Sequence, residues 1–255
     1  MDNIKILLAG YCGKMGRAVS ELAASTPGYE IAAGVAIDPA PVNTAYPAYF
    51  KPSDFGGHAD VIVDFSHHSF VESLLDCAIK RGIPLVIATT GHTEDELALI
   101  KDAAKTVPIL KSANMSLGVN LLCGLAKKAA ALLSGYDIEI VERHHNKKLD
   151  APSGTALLLA DAVASATGAG KYVYDRHSER RAREAGEIGI HSIRAGTIIG
   201  DHDVILAGKD EVITLSHSAL SREMFASGAL RAASFLIGKP AGYYTMDDIV
   251  AQYMQ

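Results

Sequence analysis

The sequence predicts an α/β protein: a doubly wound parallel sheet with a second, α+β domain built on an open mixed sheet. Three observations carry that reading. Short apolar runs alternate with helical patterns as far as Met115. A glycine-rich turn joins the first of those runs to the first helix. From Ile188 onward the pattern changes to strands separated by Gly-rich turns.

The first run, Ile4–Ala9, is apolar apart from Lys5 and suits a parallel strand buried on both faces. It leads into Gly10-Tyr11-Cys12-Gly13-Lys14-Met15-Gly16-Arg17, then an amphipathic helix over 18–25. A Pro27-Gly28 turn precedes a second strand over 30–37, which ends at Asp38. Strand, Gly-rich turn, helix, strand is the opening of a Rossmann-like, dinucleotide-binding fold. The glycines stand at 10, 13 and 16, and Cys12 occupies the second glycine of the commoner G-x-G-x-x-G spacing. Gly10 serves the turn, Gly13 the close approach of a pyrophosphate, and Gly16 the packing of helix on strand. Asp38 is placed to bond the ribose hydroxyls of an adenine nucleotide.

Residues 39–57 read as an irregular connection. A strand over 59–66 follows, then a helix over 69–81 closed by Gly82. Another strand, 84–88, ends in Thr89-Thr90-Gly91. A helix over 94–104 precedes the strand Pro108–Lys111, which ends in Ser112-Ala113-Asn114-Met115. The strand ends at 64–66, 88–90 and 112–114 are small and polar. In open α/β sheets ligands lie off the carboxyl ends of strands, so these ends are expected to line the cofactor cleft.

A long helix over 117–133 exposes Lys127 and Lys128. A strand over 137–141 then feeds the most distinctive stretch of the chain, Glu142-Arg143-His144-His145-Asn146-Lys147-Lys148-Leu149-Asp150-Ala151-Pro152-Ser153-Gly154-Thr155-Ala156. It is cationic and runs into a small, aliphatic helix over 156–166. Pro152 and Ser153 are helix-start residues, with Ser153 able to cap the backbone donors of Thr155 or Ala156. A strand end, cationic side chains and a helix N-terminus at Gly154 and Thr155 make an anion site. His144 and His145 are chain neighbours and point opposite ways in extended backbone.

Residues 168–189 are loop-like, and the dense charge run over 175–184 reads as a solvated, mobile face. Strands are expected over 188–194, 196–199, 203–207 and 211–217, then a helix over 222–237. The second domain is therefore an insertion. Residues 1–115 and 219–255 form a dinucleotide-binding domain, and 116–218 a substrate-binding and oligomerisation domain. An open sheet face calls for cover, which subunit association supplies.

The chain has 255 residues, 49% hydrophobic and 21% charged, with a net charge of −5. That balance excludes a general nucleic-acid binder and suits a small anionic ligand held by a local cationic patch. The three cysteines have neither metal nor disulfide spacing, so no metal is expected and a cytoplasmic setting is. No apolar run reaches the roughly eighteen residues of a membrane span.

Gly10-x-x-Gly13-x-Met15-Gly16-Arg17, Thr89-Thr90-Gly91, Ser112-Ala113-Asn114-Met115-Ser116-x-Gly118-Val119-Asn120 and Glu142-x-His144-His145-x-x-Lys148-x-Asp150-Ala151-Pro152-Ser153-Gly154-Thr155-Ala156 resemble the 4-hydroxy-tetrahydrodipicolinate (dihydrodipicolinate) reductases. So do Arg194-x-Gly196 with Gly200-x-His202, and Ser221-Arg222 with Phe225-Ala226-x-Gly228-Ala229. The resemblance runs nearly the full length. It implies reduction of 4-hydroxy-tetrahydrodipicolinate to tetrahydrodipicolinate by NADH or NADPH, in lysine and diaminopimelate synthesis, by a homotetramer built through the second-domain sheets. It implies His144 as acid/base and Lys148 as proton donor, with His145, Gly154 and Thr155 binding substrate. It assigns Gly10, Tyr11, Cys12, Gly13, Lys14, Met15, Thr89, Thr90, Ser112, Ala113, Asn114 and Met115 to the cofactor, and the strand end at Ala88 is expected to join them.

The chemistry agrees with those roles. One carboxylate of a cyclic dicarboxylate suits the donors at Gly154 and Thr155, and an ammonium at Lys148 stabilises and protonates the carbanion-like system left by hydride addition. There are departures. Cys12 and Ala88 stand where many members carry Gly, and Asp38 comes one or two positions late with no basic neighbour. NADH is therefore expected to serve at least as well as NADPH. The competing readings are another two-domain dehydrogenase and a nucleotide sensor on the same scaffold.

Overall fold

In the computed structural model, residues 3–37, 44–168 and 170–253 are described. Asp38 lies outside them. Residues up to Leu117 together with those from Arg222 form one compact unit, and Gly118–Ser221 form a second.

The first unit begins with β1 (Ile4–Ala9), α1 (Lys14–Ser25), β2 (Tyr29–Val35) and the two-residue β3 (Ala48–Tyr49). Then come β4 (Val61–Asp64), α2 (Val71–Arg81), β5 (Leu85–Ile87), α3 (Glu94–Ala103) and β6 (Pro108–Lys111). The second unit holds α4 (Leu117–Leu132), β7 (Asp137–His144), α5 (Gly154–Thr167), β8 (Lys171–Val173), β9 (Glu187–Arg194), β10 (Gly200–Ala207) and β11 (Val212–Ala219). The chain returns to the first unit with α6 (Glu223–Leu236), β12 (Gly242–Tyr244) and α7 (Met246–Tyr253).

The first sheet has the order β12-β6-β5-β4-β1-β2-β3, and every pairing in it is parallel. From β1 the chain moves outward through β2 and β3, then crosses back to β4 on the other side of β1. The β1/β4 seam is the switch point, where crossovers diverge and leave a crevice. Both faces of this sheet are covered, which is why its strands are mostly apolar, with charge confined to Lys5, Glu30, Asp64 and Lys111. Leu7, Ala9, Ile62, Leu85 and Ile109 pack with Leu74 and Ile100 on one face. Ile6, Leu8, Val61, Val63, Val86 and Leu110 pack with Val19, Ala229, Ala233 and Ile249 on the other. Each large side chain so buried contributes about 1.5–3 kcal/mol relative to exposure.

The second sheet has the order β11-β10-β7-β9-β8. β7, β9 and β8 run parallel; β10 and β11 run antiparallel to their neighbours. One face buries Ile138, Ile140, Ile188, Ile190, Val204 and Leu206 with residues of α4 and α5, including Val119, Leu122, Leu159 and Val163.

Four expectations needed correction. Residues 196–199 are a turn rather than a strand: Gly196 takes φ 49° and its carbonyl accepts from Asn146 N at 3.2 Å. The loop-like stretch after Gly168 contains β8, and the connection after Asp38 contains β3. The charge run is not a simply solvated face, because Arg176, Arg181 and Arg183 fold back onto β7 and β9 while Arg180 stays exposed. Arg176 donates to Glu187 and Glu139, both at 3.0 Å; Arg181 donates to Glu187 at 2.6 Å; and Arg183 pairs with Glu139. Arg181 leads in holding the Glu187 carboxyl down at about 2, against burial and with help from Arg176.

Candidate active site

In the first unit the predicted cofactor residues lie along the carboxyl edge of the sheet. The strand ladder runs on past the strand ends: Phe65 N donates to Ala9 O at 3.0 Å, Ala88 N to Asp64 O at 3.0 Å, and Ser112 N to Ile87 O at 3.1 Å. Gly10–Met15, Phe65-Ser66, Ala88–Thr90 and Ser112–Met115 are thereby set side by side. Ser112 Oγ donates to Asn114 O at 2.8 Å, and Asn114 Oδ1 accepts from Ser116 N at 2.9 Å, which fixes the last of these loops.

Gly10 has φ 79°, and a Cβ on it would lie 2.6 Å from the carbonyl carbon of Phe65. A Cβ at Gly16 would lie 2.6 Å from Tyr11 Cα. These two glycines let α1 start hard against the β1/β4 seam. Gly13 is the N-cap of α1 and supplies no side-chain cap, so the first turn of the helix presents its backbone donors to a ligand. The turn thus fits the pyrophosphate of a dinucleotide. Cys12 is half-buried; its carbonyl accepts from Arg17 Nε at 3.1 Å.

The same edge buries charge that the sequence did not single out. Asp64 is 1% exposed and accepts from Ser66 N at 2.9 Å. Burial pushes its carboxyl up, opposed by Ser66, Thr89 and the Lys111 ammonium. Burial pushes Lys111 down, opposed by Asp64.

In the second unit the site grows from the alternation of β7. Ile138, Ile140, Glu142 and His144 share the face toward the helices, so the strand begins apolar and ends with a carboxylate and an imidazole. Glu142 is 0% exposed. Its Oε2 accepts from His144 Nδ1 at 2.6 Å and from Arg194 Nη1 at 2.7 Å. Its Oε1 accepts from Arg194 Nη2 at 2.7 Å and from Ser153 N at 3.1 Å. Burial pushes the Glu142 carboxyl up, but hydrogen bonds from Arg194, His144 and Ser192 overcome it and hold it at about 2. Arg194 also donates to the Asp150 carbonyl at 2.6 Å, fastening the connection that leads to α5.

That helix begins at Gly154. Ser153 is its N-cap, with Oγ accepting from Ala156 N at 3.1 Å. Ser153 Oγ also meets His202 Nε2 at 2.9 Å. His202 is 3% exposed, and burial followed by the neighbouring His144 ring pushes it down to about 4, so the ring is neutral. Gly154 is exposed, and a Cβ on it would meet nothing within 4 Å, which leaves open space at the helix start. Lys148 Nζ donates to Asp150 Oδ1 at 2.7 Å, and Lys147 is exposed. His145 is half-buried.

The structure therefore brings His144, Ser153 and the Gly154 turn together around Glu142. Ser153 caps α5 as expected, whereas the roles of Glu142, Arg194 and His202 escaped the sequence. Their signal was a glutamate at an apolar alternation position of a strand.

Among the described residues no group of His, Cys, Asp and Glu is arranged to hold a metal, and no helix is long and apolar enough to cross a membrane. Residues 4–115 match the family model described as dihydrodipicolinate reductase, N-terminus, and residues 118–250 match its C-terminus counterpart. The 4-hydroxy-tetrahydrodipicolinate reductase of Caldanaerobacter subterraneus subsp. tengcongensis is 51% identical over 248 residues, covering 97% of this chain and 98% of that protein. The enzyme of the same name from Clostridium botulinum is 50% identical over 251 residues, covering 97% and 98%. Among solved structures, a dipicolinate-bound dihydrodipicolinate reductase from Paenisporosarcina sp. TG-14 aligns with a TM-score of 0.83 at 24% identity, over 95% of this chain and 97% of that one, a likeness of fold. With both halves of one family model matched and half of all residues shared with relatives of one name, the chain belongs to the 4-hydroxy-tetrahydrodipicolinate reductase family.

Proposed function

We propose that the chain reduces 4-hydroxy-tetrahydrodipicolinate to tetrahydrodipicolinate, with loss of water, in lysine and diaminopimelate synthesis. It is an oxidoreductase by family. Residues 1–115 and 219–255 bind NADH or NADPH, and residues 116–218 bind the cyclic dicarboxylate. The observation that carries the reading is the Glu142–His144–Ser153 constellation: an imidazole and the start of an uncluttered helix N-terminus are held by one carboxylate.

The bound nicotinamide supplies a hydride to ring carbon four. Gly10, Tyr11, Cys12, Gly13, Lys14 and Met15 hold the phosphates through the start of α1. Ala88, Thr89, Thr90, Ser112, Ala113, Asn114 and Met115 line the rest of the nucleotide. Gly154 and Thr155 hold one substrate carboxylate at the positive end of α5, and His145 binds the substrate beside them. Lys148, steered by Asp150, stabilises the charge that develops and protonates the adjacent carbon. His144 serves as acid/base. NADH is accepted at least as well as NADPH. Copies associate as a tetramer through the second sheet, whose edge strand β11 exposes Val212, Thr214, Ser216 and Ser218.

The test follows oxidation of NADH and of NADPH with the fresh condensation product of pyruvate and aspartate semialdehyde. Wild type turns over rapidly and Lys148→Ala falls by orders of magnitude. Nucleotide binding without oxidation would overturn the reading and leave a nucleotide sensor. Light scattering after gel filtration reads the oligomer.

A further inference from the structure

We propose that Glu142 is the positioning residue of the site, one buried carboxylate that aims the His144 imidazole and seats the N-terminus of α5 at the same time. The inference rests on the reading of His144 as the acid/base group and of Gly154 as part of the carboxylate seat.

Beside Ser192, the donors that converge on the two oxygens are His144 Nδ1 at 2.6 Å, Arg194 Nη1 and Nη2 at 2.7 Å each, and Ser153 N at 3.1 Å. Glu142 occupies a position whose two predecessors on the same face are Ile138 and Ile140. An apolar side chain would fit that alternation, and burying an ion pair there gives no net advantage over packing a hydrophobe. The carboxylate is therefore explained by what it orients. With Nδ1–H committed to Glu142, the nitrogen of His144 left for substrate is Nε2, the atom beside Gly200. Ser153 N is the last backbone donor before Gly154, so the same anion fixes where the first turn of α5 begins. Arg194 holds the carboxylate from the far side and bonds the Asp150 carbonyl in the connection between imidazole and helix. A shift of Glu142 moves the proton-transfer group and the anion seat together, which distinguishes it from a bystander ion pair.

The experiment compares wild type, Glu142→Gln, and Glu142→Gln combined with Arg194→Gln, which removes the unpaired guanidinium that the single variant leaves. Four quantities are read: kcat, the Kd of dipicolinate, the Kd of NADH, and Tm. A fifth is the NMR signal of the His144 Nδ1 proton. In Glu142→Gln, kcat falls ~10- to 100-fold, in the range of other orienting hydrogen-bond partners, and dipicolinate binding weakens severalfold. NADH binding stays at the wild-type value, and the low-field Nδ1 proton signal is lost or moves upfield. The double variant regains Tm without regaining kcat. Recovery of kcat together with Tm in the double variant, or an unchanged Nδ1 signal in Glu142→Gln, would show a merely structural pair and overturn the inference. The NMR and dipicolinate readouts need no turnover, so a failure of the reductase reading itself shows separately, as an inactive wild type.

Discussion

Gly200 and His144 stand so close that a Cβ on Gly200 would lie 3.0 Å from the imidazole Nε2 and 3.4 Å from Cδ2. The ring is held at its other nitrogen by Glu142, so it has one direction in which to yield. Gly200→Ala is expected to turn His144 off its aim. Turnover falls about tenfold or more, in line with the cost of a small misplacement of a reacting group, while NADH binding is unchanged. Steady-state kinetics with cofactor titration checks this.

The second unit is expected to lose stability toward acid in two stages. His202 is neutral in the fold, down from 6.5 to about 4, so the unfolded chain takes up its proton first as pH falls from 6.5 to about 4. Glu142 is down from 4.5 to about 2, and its contribution is present above 4.5 and lost as pH falls toward about 2. Each contribution is on the order of 3 kcal/mol. Thermal melts at pH 7, 5 and 3.5 follow both stages, and His202→Gln flattens the upper one while leaving the lower.

Gly10 and Gly13 are predicted to fail differently. Gly10→Ala puts a side chain at φ 79° and against the Phe65 carbonyl, a cost of at least about 2 kcal/mol that shows in urea unfolding of the first unit. Gly13→Ala keeps an ordinary backbone, with its Cβ 3.3 Å from Gly10 O, so it folds. Its added methyl group stands where phosphate approaches, and NADH affinity measured by fluorescence falls about tenfold.

Cys12 is half-buried in the turn before α1, whereas Cys77 and Cys123 are buried. Maleimide is expected to label one thiol per native chain, at Cys12, and bound NADH to protect it. The labelled protein loses NADH affinity by at least about tenfold, since the adduct fills the phosphate approach. Peptide mapping after labelling with and without NADH decides the matter.

The sequence showed an element where its ends were marked chemically. Ile4–Ala9 and Pro108–Lys111 were legible to the residue because glycine or serine stops each apolar run. β3, β8 and β12 are two or three residues long and exist through pairing at sheet edges, so no periodicity announced them. Gly196-Thr197-Ile198-Ile199 looked like a strand by its isoleucines, but a positive φ and a bond to Asn146 bend it. The arginines at 176, 181 and 183 read as solvated because two of the carboxylates that receive them, Glu139 and Glu187, lie on strands outside the charge run. At the site, the His144–Thr155 loop was plain from its residue types. Glu142 was in view without a role, since local sequence does not tell which side chains a distant Arg194 will meet.

The way the first sheet is finished has a consequence for biosynthesis on the ribosome. β12 closes that sheet beside β6, and α6 covers one of its faces, its Gly228 lying against the Met115 carbonyl. The nascent chain therefore displays a sheet with one apolar face covered only in part, by α1, throughout synthesis of the whole second unit. Chaperone occupancy should persist across that interval and end only once α6 has emerged.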